Sequence, residues 1–214
     1  MTAETGLGRK ASKEVRKQQL IEATIQVLAQ KGYAALTVAD VARAAGLSTG
    51  IIIFHFVSKD ELLASVLRSL AEEYYANWKQ AVAAAEDNPA ARLAALVLAD
   101  FNPEVYSPYK LAAWIAFWGE SQGRPVYEQI CAGYDAERLK AGWDYCRDLV
   151  KAGGYSLDPE LTMKALDAMG DGLWLGVAQS GSGLTGRLTP QECIRIMQTS
   201  LAAFFPRHFT PPAG

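Results

Sequence analysis

Residues 37–56 read TVADVARAAGLSTGIIIFHF, and the reading of this stretch decides the fold. Thr37 suits the cap of a helix whose apolar face is Val38, Val41, Ala42 and Ala45, at the i, i+3, i+4, i+7 spacing. Gly46 supplies the left-handed residue that ends such a helix. Leu47 is placed to pack in the turn, and Ser48 stands at the cap of a second helix. The run IIIF at 51–54 is β-prone, but between two helical patterns it has no room for a partner strand, so it is read as helix. One or both of Ile51 and Ile52 then lock that helix onto the first. Two short helices joined by a tight glycine turn are the sequence form of a helix-turn-helix. There the second helix enters the DNA major groove, which is about 12 Å wide, with its N-terminal residues near base edges. The same pattern also occurs as plain helix packing, so its neighbours carry weight.

Arg9, Lys10, Lys13, Arg16 and Lys17 precede the motif, and His55, Ser58 and Lys59 follow it. Phosphate contacts draw on cations, hydroxyls and helix N-termini, and all three are present. Residues 1–60 hold eight Lys/Arg against five Asp/Glu, whereas the rest hold thirteen against eighteen. A basic head on an acidic body points to a polyanion at the head. Gly32-Tyr33, Thr37-Val38, Val41-Ala42, Ala45-Gly46, Leu47-Ser48, Phe54-His55-Phe56, Lys59 and Leu62-Leu63 together resemble the tetracycline-repressor (TetR) family over residues 18–67. The resemblance implies an all-helical dimer with an N-terminal DNA-binding domain and a C-terminal effector domain. Carried over by position, it implies Ser48, Thr49, Gly50 and Ile53 facing the groove, and Thr37, His55 and Lys59 on phosphate. Ile53 stands where many relatives carry an aromatic or polar side chain. Its methyls suit a thymine methyl but cannot hydrogen-bond.

The rest of the chain reads as helices. Prolines follow capping residues at Asn88-Pro89, Ser107-Pro108, Asp158-Pro159 and Thr189-Pro190, a helix-start signature. Helices are expected over 13–30, 37–45, 48–54, 59–84, 90–101, 109–121, 125–152, 159–180 and 190–205. The fold class is therefore all-α with about nine helices: a helix-turn-helix domain at 1–57 and a ligand-binding and dimerisation domain at 58–214. The helices at 159–180 and 190–205 are the expected homodimer surface, forming a four-helix bundle with their symmetry mates. Ala168, Gly172 and Gly176 would allow close backbone approach there.

Residues 1–19 have no apolar signal-peptide core, and the apolar stretch 161–178 is broken by Lys164, Asp167 and Asp171. A cytoplasmic protein with no membrane span is expected. Cys131, Cys146 and Cys193 show neither metal-ligand nor CxxC spacing and read as reduced, mostly buried thiols. GSGLTG at 181–186 fits the dinucleotide fingerprint by letter, but it follows a helix instead of a strand and reads as a loop. With two histidines, no nucleophile elbow and no metal cluster, neither an enzyme nor a bound cofactor or metal is expected.

The body holds AWIAFW at 113–118 and DGLWL at 171–175. Trp114 and Trp118 share a helix face, and Trp174 follows Asp171 by three residues. Indole faces with a carboxylate suit a quaternary ammonium ion, which has no N–H to donate, at about 0.5–2 kcal/mol per cation–π contact. The expected pocket takes Trp114, Phe117, Trp118 and Trp174 as walls, Asp171 as counter-charge, and Tyr106 or Tyr109 near its mouth. Tryptophans at helical spacing are also ordinary core residues. AWIAFW, DGLWL and the recognition-helix residues 48–52 are similar to the choline-responsive BetI branch of the family, which implies a choline-type effector. The alternative is a TetR-type repressor of efflux or catabolic genes that senses another lipophilic or amine ligand.

Overall fold

The computed structural model describes residues 4–103, 105, 107–121, 125–178 and 188–212. Among these the regular structure is entirely helical. In order it runs α1 (Glu4–Ala35), α2 (Val38–Ala45), α3 (Thr49–His55), α4 (Lys59–Ala84) and α5 (Pro89–Leu98), with a 3-10 turn at Ala99–Phe101. Then come α6 (Pro108–Ser121), α7 (Pro125–Gly153), α8 (Pro159–Ala178) and α9 (Pro190–Phe204). The all-α fold is as expected. Tyr106, residues 179–180 at the expected end of α8, and the glycine loop at 181–186 lie outside the described residues. No single described helix is long and apolar enough to cross a membrane.

Two boundaries differ from expectation for local reasons. α1 begins at Glu4, well before residue 13, because only Gly6 and Gly8 oppose helix there, at about 1 kcal/mol each. The helix expected over 90–101 tightens into the 3-10 turn after Leu98. α1 breaks at Gly32, two residues past its expected end: the φ of 74° there is a left-handed conformation that a side chain would disfavour.

The chain packs as two compact units. One comprises Met1–Leu70 with Pro108–Ile130, the other Ala71–Ser107 with Cys131–Gly214. In the first unit α1 packs on α2 and α6. Leu20, Leu28, Val41, Ile52, Phe56 and Leu62 fill its core. In the second, α5, α8 and α9 pack together around Trp78, Leu93, Leu96, Met197 and Phe205. Gly142 on α7 faces α8 so closely that an added Cβ would lie 2.2 Å from Met163 Sδ, so the residue must be small. Thr189 and Glu192 form the capping box that their spacing predicts. All three cysteines are buried and free.

Candidate DNA interface and effector site

The helix-turn-helix is built by its caps. Thr37 accepts the backbone N–H of Asp40 at 3.2 Å and opens α2. Gly46, at φ 65°, closes it, and Leu47 N–H returns to the Ala42 carbonyl at 2.9 Å. α2 and α3 are bent 106° from each other, within the range of DNA-reading pairs. Val41, Ala42, Ala45 and Ile52 are buried, and Gln19 on α1 donates to the Ala45 carbonyl at 2.8 Å. Of the two candidate lock residues, Ile52 is the buried one and Ile51 is half-buried. This fastening leaves Ser48, Thr49, Gly50, Ile53 and Phe54 exposed. Ser48 occupies the cap position of α3, but its hydroxyl makes no cap hydrogen bond. Phe54 is 72% exposed, and the sequence reading did not assign it to the interface. Its signal was its place one helical turn after Gly50, on the same face.

The expected phosphate contacts have partners of their own. The Thr37 hydroxyl donates to Asp40 Oδ2 at 2.7 Å, so a phosphate bond there requires the hydroxyl to turn. Lys31 pairs with Asp40 at 2.6 Å, and that bond, with help from Thr37, pulls the carboxyl down to about 2. Lys59 is half-buried and reaches the Tyr33 carbonyl at 3.5 Å, a long bond at the broken end of α1. Burial, then the Lys13 and Lys17 charges, lower the pKa of His55 against the opposing pull of Glu14. The shift favours the neutral imidazole. The Lys13 ammonium lies 5.5 Å from the Phe54 ring centroid.

The candidate effector residues divide between the units. Trp114, Phe117, Trp118 and Tyr109 belong to the first. Trp114 and Phe117 are buried, Trp118 is half-buried, and Tyr109 is exposed. The Trp114 and Trp118 rings lie 6.3 Å apart, and Trp118 Nε1–H donates to the Tyr127 hydroxyl at 2.7 Å. Near them Tyr33, Leu63, Leu67, Phe117, Glu120 and Tyr127 help line a cavity of about 370 Å³.

Asp171 and Trp174 belong to the second unit, where they meet a polar core that the sequence reading missed. Trp174 is buried, lies edge-on to Tyr74 at 5.9 Å, and donates Nε1–H to the Asp100 carbonyl at 3.1 Å. Asp100 and Arg138, both buried, pair at 2.7 Å. The Tyr74 hydroxyl donates to the other Asp100 oxygen at 2.8 Å, and Arg138 also bonds Asp167. Burial pushes the Asp100 and Tyr74 groups above their ordinary pKa values. Burial works against the Arg138 charge too, but Asp100, Tyr74 and Asp167 outweigh it and hold the guanidinium ionised. Arg138 Nε is buried with no hydrogen-bond partner among the described atoms. Gly170 leaves room for this pair, since a Cβ there would lie 3.2 Å from Asp100 Oδ2. Asp135 and Asp171 complete the group. Both are exposed to solvent, yet partial desolvation and then Asp167 raise both, and Asp171 reaches about 6. Asp100 and Asp167 thus pair with the guanidinium, and two exposed carboxylates stand beside them. The signal was faint: Asp100 merely ends the apolar run LAALVLA, and Arg138 has no distinctive spacing.

No group of His, Cys, Asp and Glu among the described residues is arranged to hold a metal ion. Residues 20–66 match the family described as bacterial regulatory proteins, tetR family, and residues 89–206 match the BetI-type transcriptional repressor C-terminal family. The HTH-type transcriptional regulator BetI of Burkholderia thailandensis is 35% identical over 172 residues, 79% of this chain and 85% of its own. The BetI regulator of Paraburkholderia phymatum is 34% identical over 181 residues, 79% of this chain and 84% of its own. Among solved structures, a transcriptional regulator from Pseudomonas aeruginosa PAO1 superposes with a TM-score of 0.74 at 29% identity, covering 92% of this chain and 95% of its own. A regulator from Saccharomonospora viridis, solved in complex with choline, shares the fold with a TM-score of 0.69 at 21% identity, covering 85% and 92%.

Proposed function

Because the chain belongs to the tetR family of bacterial regulatory proteins and carries a BetI-type repressor C-terminal domain, we propose that it represses transcription until a choline-type quaternary amine binds. Regulators of this family bind operator DNA and small-molecule effectors, and they are not enzymes. The division of labour we assign is DNA reading by 1–57 and effector binding and dimerisation by 58–214, in the cytoplasm. Ser48, Thr49, Gly50 and Ile53 face the groove; Thr37, His55 and Lys59 serve phosphate.

The observation that carries the effector reading is the surplus of carboxylates around Trp174 and Tyr74. An organic cation is a ligand that such a group would attract. The choline complex of the similarly folded S. viridis regulator supports the same chemistry. We place the counter-charge on Asp171, which is exposed, stands one turn before Trp174, and makes no hydrogen bond or ion pair through its carboxylate among the described residues. α4 carries the signal, since one continuous helix begins just after the reading head and ends in the effector domain. A tenfold shift in operator affinity requires about 1.4 kcal/mol of differential ligand affinity between two states.

Calorimetry with choline and with its neutral tert-butyl isostere tests the reading. Choline should bind at least about tenfold more tightly, the worth of one good cation–π and carboxylate contact. Equal affinities would remove the cation reading. Stabilisation by many lipophilic cations would favour the efflux alternative.

The dimer proposal is refined by two glycines. An added Cβ at Gly176 would lie 2.6 Å from Leu188 of its own chain, whereas Gly172 has open space around it. Ala168, Gly172, Leu161 and Leu175 leave an exposed apolar stripe along α8. Gly172→Trp should therefore yield monomers by light scattering at low micromolar concentration. A persistent dimer would move the interface elsewhere.

A further inference from the structure

α3 reads TGIIIFH, and none of its seven residues carries a guanidinium, amine or carboxamide. Those are the groups that read guanine and adenine edges by paired hydrogen bonds. Its exposed face is Thr49, Gly50, Ile53 and Phe54. Residues four apart on a helix stack, so Ile53 stands beyond Thr49, and Phe54 beyond Gly50, which has no side chain to cover the ring. Ile53 is 68% and Phe54 72% exposed, although the helix is already anchored by buried Ile52. Neither side chain holds the fold together. Lys13 lies over the Phe54 ring, and Lys13 and Lys17, with Glu14 opposing them, act on neighbouring His55. An apolar ridge with a cationic flank fits a partner that is anionic at its edges and apolar at its centre.

In the major groove the apolar feature of the four standard bases is the C5-methyl group of thymine. We propose that Ile53 and Phe54 select the operator by seating thymine methyl groups, with the Ser48 and Thr49 hydroxyls supplying the polar contacts of this helix. This rests on the assignment of α3 as the groove-reading helix. It makes the operator a thymine-marked sequence and names Phe54 as a specificity-determining residue.

Thymine replaced by uracil loses the methyl and keeps every hydrogen-bonding group. The test uses the full chain and a duplex recovered from a random pool by repeated binding. Uracil is then placed at each thymine in turn. Binding should fall several-fold at the contacted thymines, and about tenfold or more when all contacted positions in both half-sites are changed. In Ile53→Ala and Phe54→Ala proteins, the uracil penalty at the matching positions should disappear while the thermal melt stays unchanged. Equal affinity for thymine and uracil operators would overturn the methyl code and leave DNA binding standing. A uracil penalty of the same size in the variants would overturn it as well, by assigning the methyls to other groups. Failure to recover any preferred duplex would instead sink the assignment of α3, and this inference with it.

Discussion

On α3, Ile53 and Phe54 face water; in the second unit, Asp100 and Arg138 are buried. Each region departs from the usual partition of apolar inside and charged outside, and the costs differ. An exposed isoleucine costs a folded protein little, because it is exposed in the unfolded chain too. A buried carboxylate costs several kcal/mol unless a partner answers it, and Asp100 survives on Arg138 and Tyr74. The reading head is thus complete before its partner arrives and tolerates change. The body is held by a network in which each member depends on the others. Substitutions in the two regions should therefore fail in different ways.

The largest effect is expected at Arg138. Arg138→Met leaves Asp100 buried without its cation and should destabilise the protein by about 3–5 kcal/mol at pH 7 in urea titrations. The loss should shrink as pH falls, because burial already favours the protonated carboxyl of Asp100 and the variant favours it more. Adding Asp100→Asn should recover part of the loss. A single variant as stable as the wild type would show that the network is ornamental. Phe54→Ala, by contrast, should stay within about 0.5 kcal/mol, as surface substitutions usually do.

A smaller effect is expected from the titration of Asp171. Although the residue is exposed, partial desolvation, then Asp167 and Asp100, raise its carboxyl to about 6, while Arg138 opposes them. A raised carboxyl favours the protonated form, so ionised Asp171 weighs against the fold above about pH 6, and the weight is relieved as pH falls below it. A cationic ligand needs the ionised form. Its affinity should therefore drop about tenfold between pH 7 and pH 5, the ratio of ionised fractions for a group titrating near 6. Asp171→Asn should bind more weakly and lose this part of the pH dependence. A wild-type affinity that is flat from pH 7 to 5 would remove Asp171 from the site.

The same contrast explains what the sequence made legible. In the head, each step has a local cause: Thr37 and Gly46 bracket α2, Ile52 anchors α3, and the 3.6-residue period sorts buried from exposed. Helix starts in the body were equally local, at Asn88, Asp158 and Thr189 with their prolines. The Asp100–Arg138 pair lies 38 residues apart in the chain, and no period links the two. Trp114 and Trp174 belong to different compact units, which no local spacing reveals. Gly172 and Gly176 looked equivalent by spacing; only packing shows that Leu188 crowds the second. Local chemistry is written along the chain, and long-range partners are not.

The smallest stability effect, and the cleanest test of the head, is at Lys59. Its ammonium is half-buried and its bond to the Tyr33 carbonyl is long, at 3.5 Å, so the bond contributes little to the fold. Lys59→Ala should then cost at most about 0.5 kcal/mol of stability. Its weight should fall on DNA. Each phosphate that the protein no longer neutralises takes about 0.9 from the slope of log affinity against log salt, so a dimer bound through both heads should lose nearly two units. Because phosphate carries no sequence, operator and random duplex should weaken alike, unlike the position-specific loss expected from Phe54→Ala. Titrations of both duplexes across a salt series measure this directly. An unchanged slope would confine Lys59 to the end of α1 and leave phosphate to Thr37, His55 and the lysines of α1.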